Sequence, residues 1–153
     1  MKRFYKLLLS GFGAGWLPIA PGTWGAAVAA LAAWPLALLA PAHATLVLTI
    51  LIISCTWIGA AGSRLLADEW GEDPKQTVID EMVGMWIAVL GFPLHWPVLL
   101  AGFLLFRVFD ILKPFGVRRL EDIGGGWGVM LDDVMAGVYA NLVLQIGYLV
   151  IGQ

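Results

Sequence analysis

The chain has 153 residues, of which 60% are hydrophobic and 13% are charged, whereas an ordinary soluble domain has about 45–50% apolar and about 25% charged residues. This composition argues against a soluble globular protein, and the high hydrophobicity excludes an intrinsically disordered one. A net charge of −2 provides no electrostatic footprint for a nucleic acid. The single cysteine, Cys55, cannot form an internal disulfide.

The charged residues are confined to three stretches of the chain. The runs between and after these stretches contain no Asp, Glu, Lys or Arg, and each reaches the length of about 20 residues that a membrane-spanning helix needs. The uncharged runs are residues 7–63, 82–106 and 134–153. We therefore predict one all-α domain over residues 1–153, an integral membrane helical bundle with about four to five spanning or re-entrant helices.

The first uncharged run is punctuated by glycine and proline. We expect a short amphipathic helix at the membrane surface over residues 4–10. Residues 11–25 contain too many glycines and prolines for a regular helix. Two spans, at residues 26–40 and 44–61, are expected to follow as a hairpin, with the first span interrupted by Pro35.

The charge distribution predicts the topology in the membrane. Residues 91–97 contain glycine and two prolines and break the second uncharged run into two short halves. If that run turns back on itself, all nine Lys and Arg fall on one side of the membrane, and the positive-inside rule makes this side cytoplasmic. A last span at residues 134–151 completes the bundle. We expect the functional site at the cytoplasmic face.

Five carboxylates stand at the ends of the predicted spans. They are Asp80, Glu81, Asp110, Asp132 and Asp133. Placing carboxylates at the edge of the bilayer costs free energy, and a bound cation would offset both this cost and their mutual repulsion. Carboxylate oxygens without nearby His or Cys suit Mg²⁺. Each acidic pair taken singly also fits a simpler interpretation, in which acids in a first helical turn favour the helix dipole.

Arg107, Asp110 and Lys113 follow one another at spacings of three, which places them on one helical face. They are either an ion-paired row at the membrane surface or a phosphate clamp with a metal ligand at its centre. The spacing fits both interpretations.

Two glycine-rich segments are candidates for contacts with an anion. In residues 21–25, Thr23 is expected to cap the first span, whose free N–H groups would favour an anion beside Gly22. In residues 124–128, a flexible backbone around Gly126 is expected to close over a headgroup. Either segment alone is weak evidence, because most glycine-rich segments are simply loops.

Four motifs in order resemble the phosphatidylglycerophosphatase A family, and the resemblance covers about residues 10–140. The motifs are GFGAG at 11–15 with PGTWG at 21–25, DEMVGMW at 80–86, FRVFD at 106–110 with Lys113, and GGWGVMLDD at 125–133. The resemblance implies a bacterial inner-membrane, Mg²⁺-dependent enzyme. Its expected reaction is removal of the terminal phosphate from phosphatidylglycerophosphate, a membrane lipid, to give phosphatidylglycerol.

The resemblance also implies roles for individual residues. Expected metal ligands are Asp80, Glu81, Asp110, Asp132 and Asp133. The expected catalytic set adds Thr23, Arg107 and Lys113 to these acids, and the expected substrate contacts are Gly22, Thr23, Arg107, Lys113 and Gly126. Attack by water and a covalent aspartyl-phosphate both fit these residues.

Three other functions fit the residues less well than the phosphatase. A membrane ion or anion carrier would place ionisable groups near the middle of its spans, whereas the runs here are free of charge. A structural membrane protein with carboxylate-capped helix ends would tolerate an amide at Asp80 or Asp132. A phosphatidyltransferase would need a spaced acidic pattern that this chain lacks. The residues do not indicate an oligomeric state.

Overall fold

A computed structural model describes residues 2–71, 74–114, 116–117, 120 and 123–151. Within these residues the chain forms α-helices and short 3₁₀ turns, and no strand is present there. The helices are α1 (Lys2–Leu9), α2 (Pro21–Leu39), α3 (Ala44–Trp70), α4 (Ile79–Ala88), α5 (Trp96–Leu112) and α6 (Gly125–Ile151), and the 3₁₀ turns are Ala14–Trp16 and Pro41–His43. The predicted all-α class is confirmed.

Three of these helices, α2, α3 and α6, are long and apolar enough to cross a membrane. Helices α4 and α5 have 10 and 17 residues and are about 15 Å and about 25 Å long, shorter than a hydrocarbon core of about 30 Å. A break at residues 89–95 separates them, as the prolines predict. The fold is an all-α membrane bundle, and the path of α4 and α5 across or back out of the membrane stays a prediction.

Helix α2 packs into the bundle through small residues. The buried face of α2 consists of Gly22, Gly25, Ala26, Ala29 and Ala33, while large apolar side chains on the outer surface are exposed to the surroundings. Because lipid solvates apolar side chains as well as a protein core does, helices in membranes pack through small residues that let their backbones approach closely.

Helix α4 lies at the centre, where it contacts α2, α3, α5 and α6, and eight of its ten residues are buried. The indole N–H of Trp86 donates a hydrogen bond of 3.0 Å to the carbonyl of Ala29. At the end of α4, the Asn141 side-chain amide donates to the carbonyls of Ile87, Ala88 and Leu90 at 2.9, 3.1 and 3.0 Å. The Ile87 carbonyl also accepts the backbone N–H of Leu90 at 3.1 Å. Asn141 therefore adds to the hydrogen bonding at an end where helical carbonyls run out of partners.

Two glycines set the distance between α4 and α6. A Cβ atom on Gly137 would lie 2.5 Å from the carbonyl oxygen of Gly84, and a Cβ atom on Gly84 would lie 2.8 Å from the carbonyl oxygen of Asp133. The two helix backbones therefore touch. Asp80 and Asp133 each precede one of these glycines by four residues, which is one helical turn, so the crossing brings the two carboxylates together.

The amphipathic N-terminal helix is present as α1. The ammonium groups of Lys2 and Lys6 bind the carboxylate of Glu69 at 2.7 and 2.5 Å, and this hydrogen-bonded contact raises the pKa of Lys2. These ion pairs attach α1 to the end of α3. The surface position of α1 in the membrane stays a prediction.

Some helix boundaries differ from those expected. Helix α2 begins at Pro21 instead of residue 26, because proline is favoured at the first position of a helix. Its N-cap is Ala20, and Thr23 lies inside the helix, so the predicted Thr23 cap is wrong. Pro35 does not interrupt α2, which continues to Leu39, since membrane helices tolerate internal proline.

The last span also begins earlier than expected. Helix α6 starts at Gly125 instead of residue 134, so the segment around Gly126 is helical and the predicted flexible loop there is wrong. A Cβ atom on Gly126 would collide with the carbonyl oxygen of Ala60. The glycine allows α6 to pack directly on α3.

Candidate active site

A pocket of about 590 Å³ opens where α2, α4 and α6 begin and α5 ends. All five predicted acids and Lys113 line it. The lining residues are Pro21, Pro74, Lys75, Thr77, Asp80, Glu81, Asp110, Lys113, Gly124, Gly125, Gly128, Val129, Asp132 and Asp133. The structure thus collects in one place acids that lie up to about fifty residues apart in the sequence.

Three of the acids form a compact group. One carboxylate oxygen each from Asp80, Glu81 and Asp133 lies within 4.8 Å of the others. Asp80 and Asp133 are 8% and 3% exposed, so water screens their charges little. The glycine crossing between α4 and α6 determines this arrangement, since both acids lie one turn before it.

The acidic group fits a metal ion. The Asp80 Oδ1 and Glu81 Oε2 atoms are buried and have no hydrogen-bond partner among the described residues. A buried carboxylate without a partner is costly, and a hard divalent cation takes such oxygens as ligands. The described lining contains five carboxylates and only two lysines, so a cation would also reduce the repulsion between the acids.

Asp132 and Lys113 form a second part of the site. The Lys113 ammonium binds the Asp132 carboxylate at 2.6 Å, which joins the end of α5 to α6. The other carboxylate oxygen of Asp132 accepts the backbone N–H of Asp133 at 3.0 Å. Asp132 therefore has partners on the chain and is not in the compact acidic group.

Arg107 and Asp110 form an ion pair on α5. Asp110 lines the pocket, whereas Arg107 is not among its lining residues. Both cations of this row form ion pairs, Arg107 along the helix and Lys113 across to Asp132 on α6, and the phosphate clamp stays a prediction. A direct phosphate contact by Arg107 stays a prediction.

Gly22 has no side chain and so leaves space for the carboxylate of Glu81. A Cβ atom on Gly22 would collide with the Glu81 carboxylate and would lie 3.2 Å from Nη1 of Arg107. Gly22, Thr23 and Gly126 are not among the residues that line the pocket, and their substrate contacts stay predictions. The glycines that do line the pocket are Gly124, Gly125 and Gly128.

Sequence reasoning did not single out Lys75 and Thr77, which both line the pocket. The Thr77 hydroxyl is buried without a hydrogen-bond partner among the described residues. Both precede Asp80 in the same charged stretch, and this proximity was the available signal. Neither belongs to a periodic pattern that would indicate which way its side chain points.

The starts of α2 and α6 add partial positive charge to a pocket that is lined by five acids. Pro21 begins α2 and Gly125 begins α6, and both line the pocket. A helix N-terminus carries a partial positive charge and free N–H groups, which favour anions such as phosphate. The site therefore combines acids suited to a cation with helix ends suited to an anion.

The phosphatidylglycerophosphatase A family model matches residues 7–148. The chain belongs to this family. A phosphatidylglycerophosphatase A of Haemophilus influenzae is 39% identical over 90% of this chain and 85% of its own length, and that of Escherichia coli is 36% identical over 97% of this chain and 86% of its own length. The family makes this chain an enzyme, a phosphatase, as the motifs predict.

A third relative carries a different name. A Bacteroides thetaiotaomicron protein named "Putative phosphatidylinositol-3-phosphatase" is 46% identical over 99% of this chain and 100% of its own length. Both names describe phosphatases that act on a phosphorylated lipid. No solved structure matches the chain significantly.

Proposed function

We propose that this chain hydrolyses the terminal phosphomonoester of phosphatidylglycerophosphate in the bacterial inner membrane, releasing phosphatidylglycerol for phospholipid synthesis and inorganic phosphate. The proposal rests on the acidic group formed by Asp80, Glu81 and Asp133. Asp80 and Glu81 each have a buried oxygen without a hydrogen-bond partner among the described residues. The acidic group lies at one end of a membrane bundle whose family is named for this reaction. The substrate is a membrane lipid, so a site at the end of the spans can receive its headgroup.

The proposed cofactor is Mg²⁺, held by Asp80, Glu81 and Asp133 with Asp110 nearby in the same pocket. When bound, the ion would polarise a phosphoryl oxygen and reduce the repulsion between phosphate and carboxylates. The oxygen-only donor set and the excess of carboxylates in the lining support this choice.

The chain's own residues bind and orient the phosphate. The ammonium of Lys113, held by Asp132 at 2.6 Å, lies in position to neutralise a phosphate oxygen. The start of α6, where Gly125 lines the pocket, offers N–H groups to the same anion. A pocket carboxylate either orients the attacking water or itself accepts the phosphoryl group, and trapping of a phosphorylated enzyme during turnover would establish the second route.

The proposed location of the pocket is the cytoplasmic face. Lys75 and Lys113 line it, and the two turns expected on the other side, at residues 41–43 and 91–97, contain no Lys or Arg. This asymmetry is what the positive-inside rule describes.

Phosphate release from phosphatidylglycerophosphate by the detergent-purified protein tests the proposal, measured with Mg²⁺ and with excess chelator. We expect release that requires Mg²⁺, and a fall of about 10²- to 10³-fold in kcat for Asp80→Asn. Asp68→Asn is the matched control, because Asp68 is exposed on α3. Equal rates of phosphate release with Mg²⁺ and with chelator would contradict the proposed metal requirement. Full activity of Asp80→Asn would contradict the proposed site.

The Bacteroides relative favours a second candidate substrate, phosphatidylinositol 3-phosphate. A comparison of kcat/KM for the two lipids decides between them. The carrier and structural interpretations both predict no phosphate release from either lipid by the folded protein.

A further inference from the structure

Two lysines line the described part of the pocket, and they differ in their partners. Lys113 binds Asp132 at 2.6 Å. Lys75 is exposed and forms no ion pair or side-chain hydrogen bond with any residue that the structure describes. Its ammonium is therefore available to an anion that enters the pocket.

The backbone that carries Lys75 is held in place. The Val78 N–H donates to the carbonyl of Leu9 at 2.8 Å, and the Thr77 N–H donates to the carbonyl of Pro74 at 2.9 Å. A Cβ atom on Gly15 would collide with the carbonyl oxygen of Gln76. The absence of a side chain at Gly15 therefore allows the backbone at Gln76 to pack directly against it. These contacts fix residues 74–78 and keep Lys75 at the pocket.

The pocket is larger than the hydrolysed group requires. Its volume of about 590 Å³ is many times what a single bound water requires. A phosphate and one cation fill only part of that space. The substrate of the proposed function carries a second phosphate, the phosphodiester that joins the headgroup to diacylglycerol.

We propose that Lys75 binds this phosphodiester, while Lys113 and the acidic group engage the terminal phosphomonoester. The assignment rests on the proposed function and holds for either candidate lipid, since both carry the two phosphates. The positive charge of the Lys75 ammonium offsets the repulsion between the second phosphate and the pocket carboxylates. Lys75 is then a residue that determines specificity for lipids with two phosphates.

The test is steady-state kinetics of Lys75→Gln on phosphatidylglycerophosphate, with inorganic phosphate as a competitive inhibitor. Inorganic phosphate reports on the phosphomonoester site alone. We expect KM to rise about fivefold, kcat to stay within twofold of wild type, and the inhibition constant of phosphate to stay unchanged. Lys75→Arg should restore most of the affinity. Arg64→Gln, which removes a charge from an exposed position on α3, should leave KM unchanged.

Each result bears on a different claim. An unchanged KM in Lys75→Gln, with active wild-type protein, would overturn the Lys75 assignment and leave the proposed function intact. A parallel rise in KM and in the inhibition constant of phosphate would place Lys75 at the hydrolysed phosphate instead, and would also overturn it. Failure of the folded wild-type protein to hydrolyse either lipid would overturn the proposed function and this assignment together.

Discussion

The two ends of helix α4 lie in the same bundle but differ in whether their buried polar atoms have hydrogen-bond partners. At its end, the carbonyls of Ile87, Ala88 and Leu90 all receive the Asn141 amide. At its start, Asp80 and Glu81 each keep a buried carboxylate oxygen without a partner among the described residues. Buried polar groups are nearly always satisfied in folded proteins. At one end the chain supplies the partner itself, and at the other it presents an acidic group that could hold a metal ion.

Asp133→Asn is expected to show the largest effect on activity and to spare the fold. The amide keeps the shape of the side chain but removes a ligand charge, so kcat should fall about 10²- to 10³-fold. Because the change also removes a buried like charge, thermal stability without metal should stay equal or rise. Mg²⁺ should raise the melting temperature of the wild type more than that of the variant. Thermal unfolding with and without Mg²⁺ checks this, and an equal metal response in both proteins would contradict it.

Gly137→Ala should disturb the start of α4 through the packing of helices. The new Cβ atom would lie 2.5 Å from the Gly84 carbonyl oxygen, so α4 and α6 must separate and the acidic group must open. We expect a loss of stability of about 1–3 kcal/mol and a clear fall in Mg²⁺-dependent activity, measured on the same preparation.

Gly147→Ala is the matched control on the same helix, because nothing lies within 4 Å of a Cβ atom there. Its activity should match that of the wild type, and its melting temperature should be equal or slightly higher, because alanine favours the helix more than glycine does. If both alanine variants behave alike, the crossing does not position the acids.

Asn141→Leu should act at the other end of α4. Leucine removes the Asn141 donor from the three carbonyls, of which that of Ile87 keeps another donor, the Leu90 N–H. We expect a loss of about 1–3 kcal/mol in unfolding free energy. The acids lie at the opposite end of the helix, so kcat of the folded fraction should stay close to wild type. Chemical denaturation together with phosphate release measures both quantities. A large fall in kcat at unchanged stability would show that the two ends are not independent.

Glu69→Gln should have the smallest effect. Its carboxylate binds Lys2 and Lys6 at the exposed junction of α1 and α3, and exposed ion pairs contribute little to stability. Activity and melting temperature should both stay near wild-type values. A large loss of either would show that α1 is needed for the structure of the site.

Much of this architecture follows from local patterns. Uncharged runs predict the spans, because the lipid environment selects them by length and hydrophobicity. The five acids could be found because they interrupt otherwise apolar sequence at the ends of those runs. The break between α4 and α5 contains Gly91 and Pro93, which disfavour helix, and Pro97 lies in the first turn of α5, where proline is favoured.

The errors lie where long-range contacts decide. Gly22 and Gly126 look like parts of flexible loops, since glycine disfavours helices in water. In the bundle they are helical and allow close contact with Glu81 and Ala60. The position of Lys75 at the pocket does not follow from local sequence for the same reason, because it depends on contacts with Leu9 and Gly15, which lie about sixty residues earlier in the chain.

The crossing of α4 and α6 also sets the mutational tolerance of the enzyme. Outward positions on α6, such as Leu142 and Leu149, are exposed and can exchange one apolar side chain for another, because lipid accommodates either shape. Positions 84 and 137 admit no side chain at all. Substitution scans along α6 should therefore alternate between permissive and intolerant faces. Narrow limits on sequence would then fall on glycines such as Gly126 and Gly137, which carry no functional group.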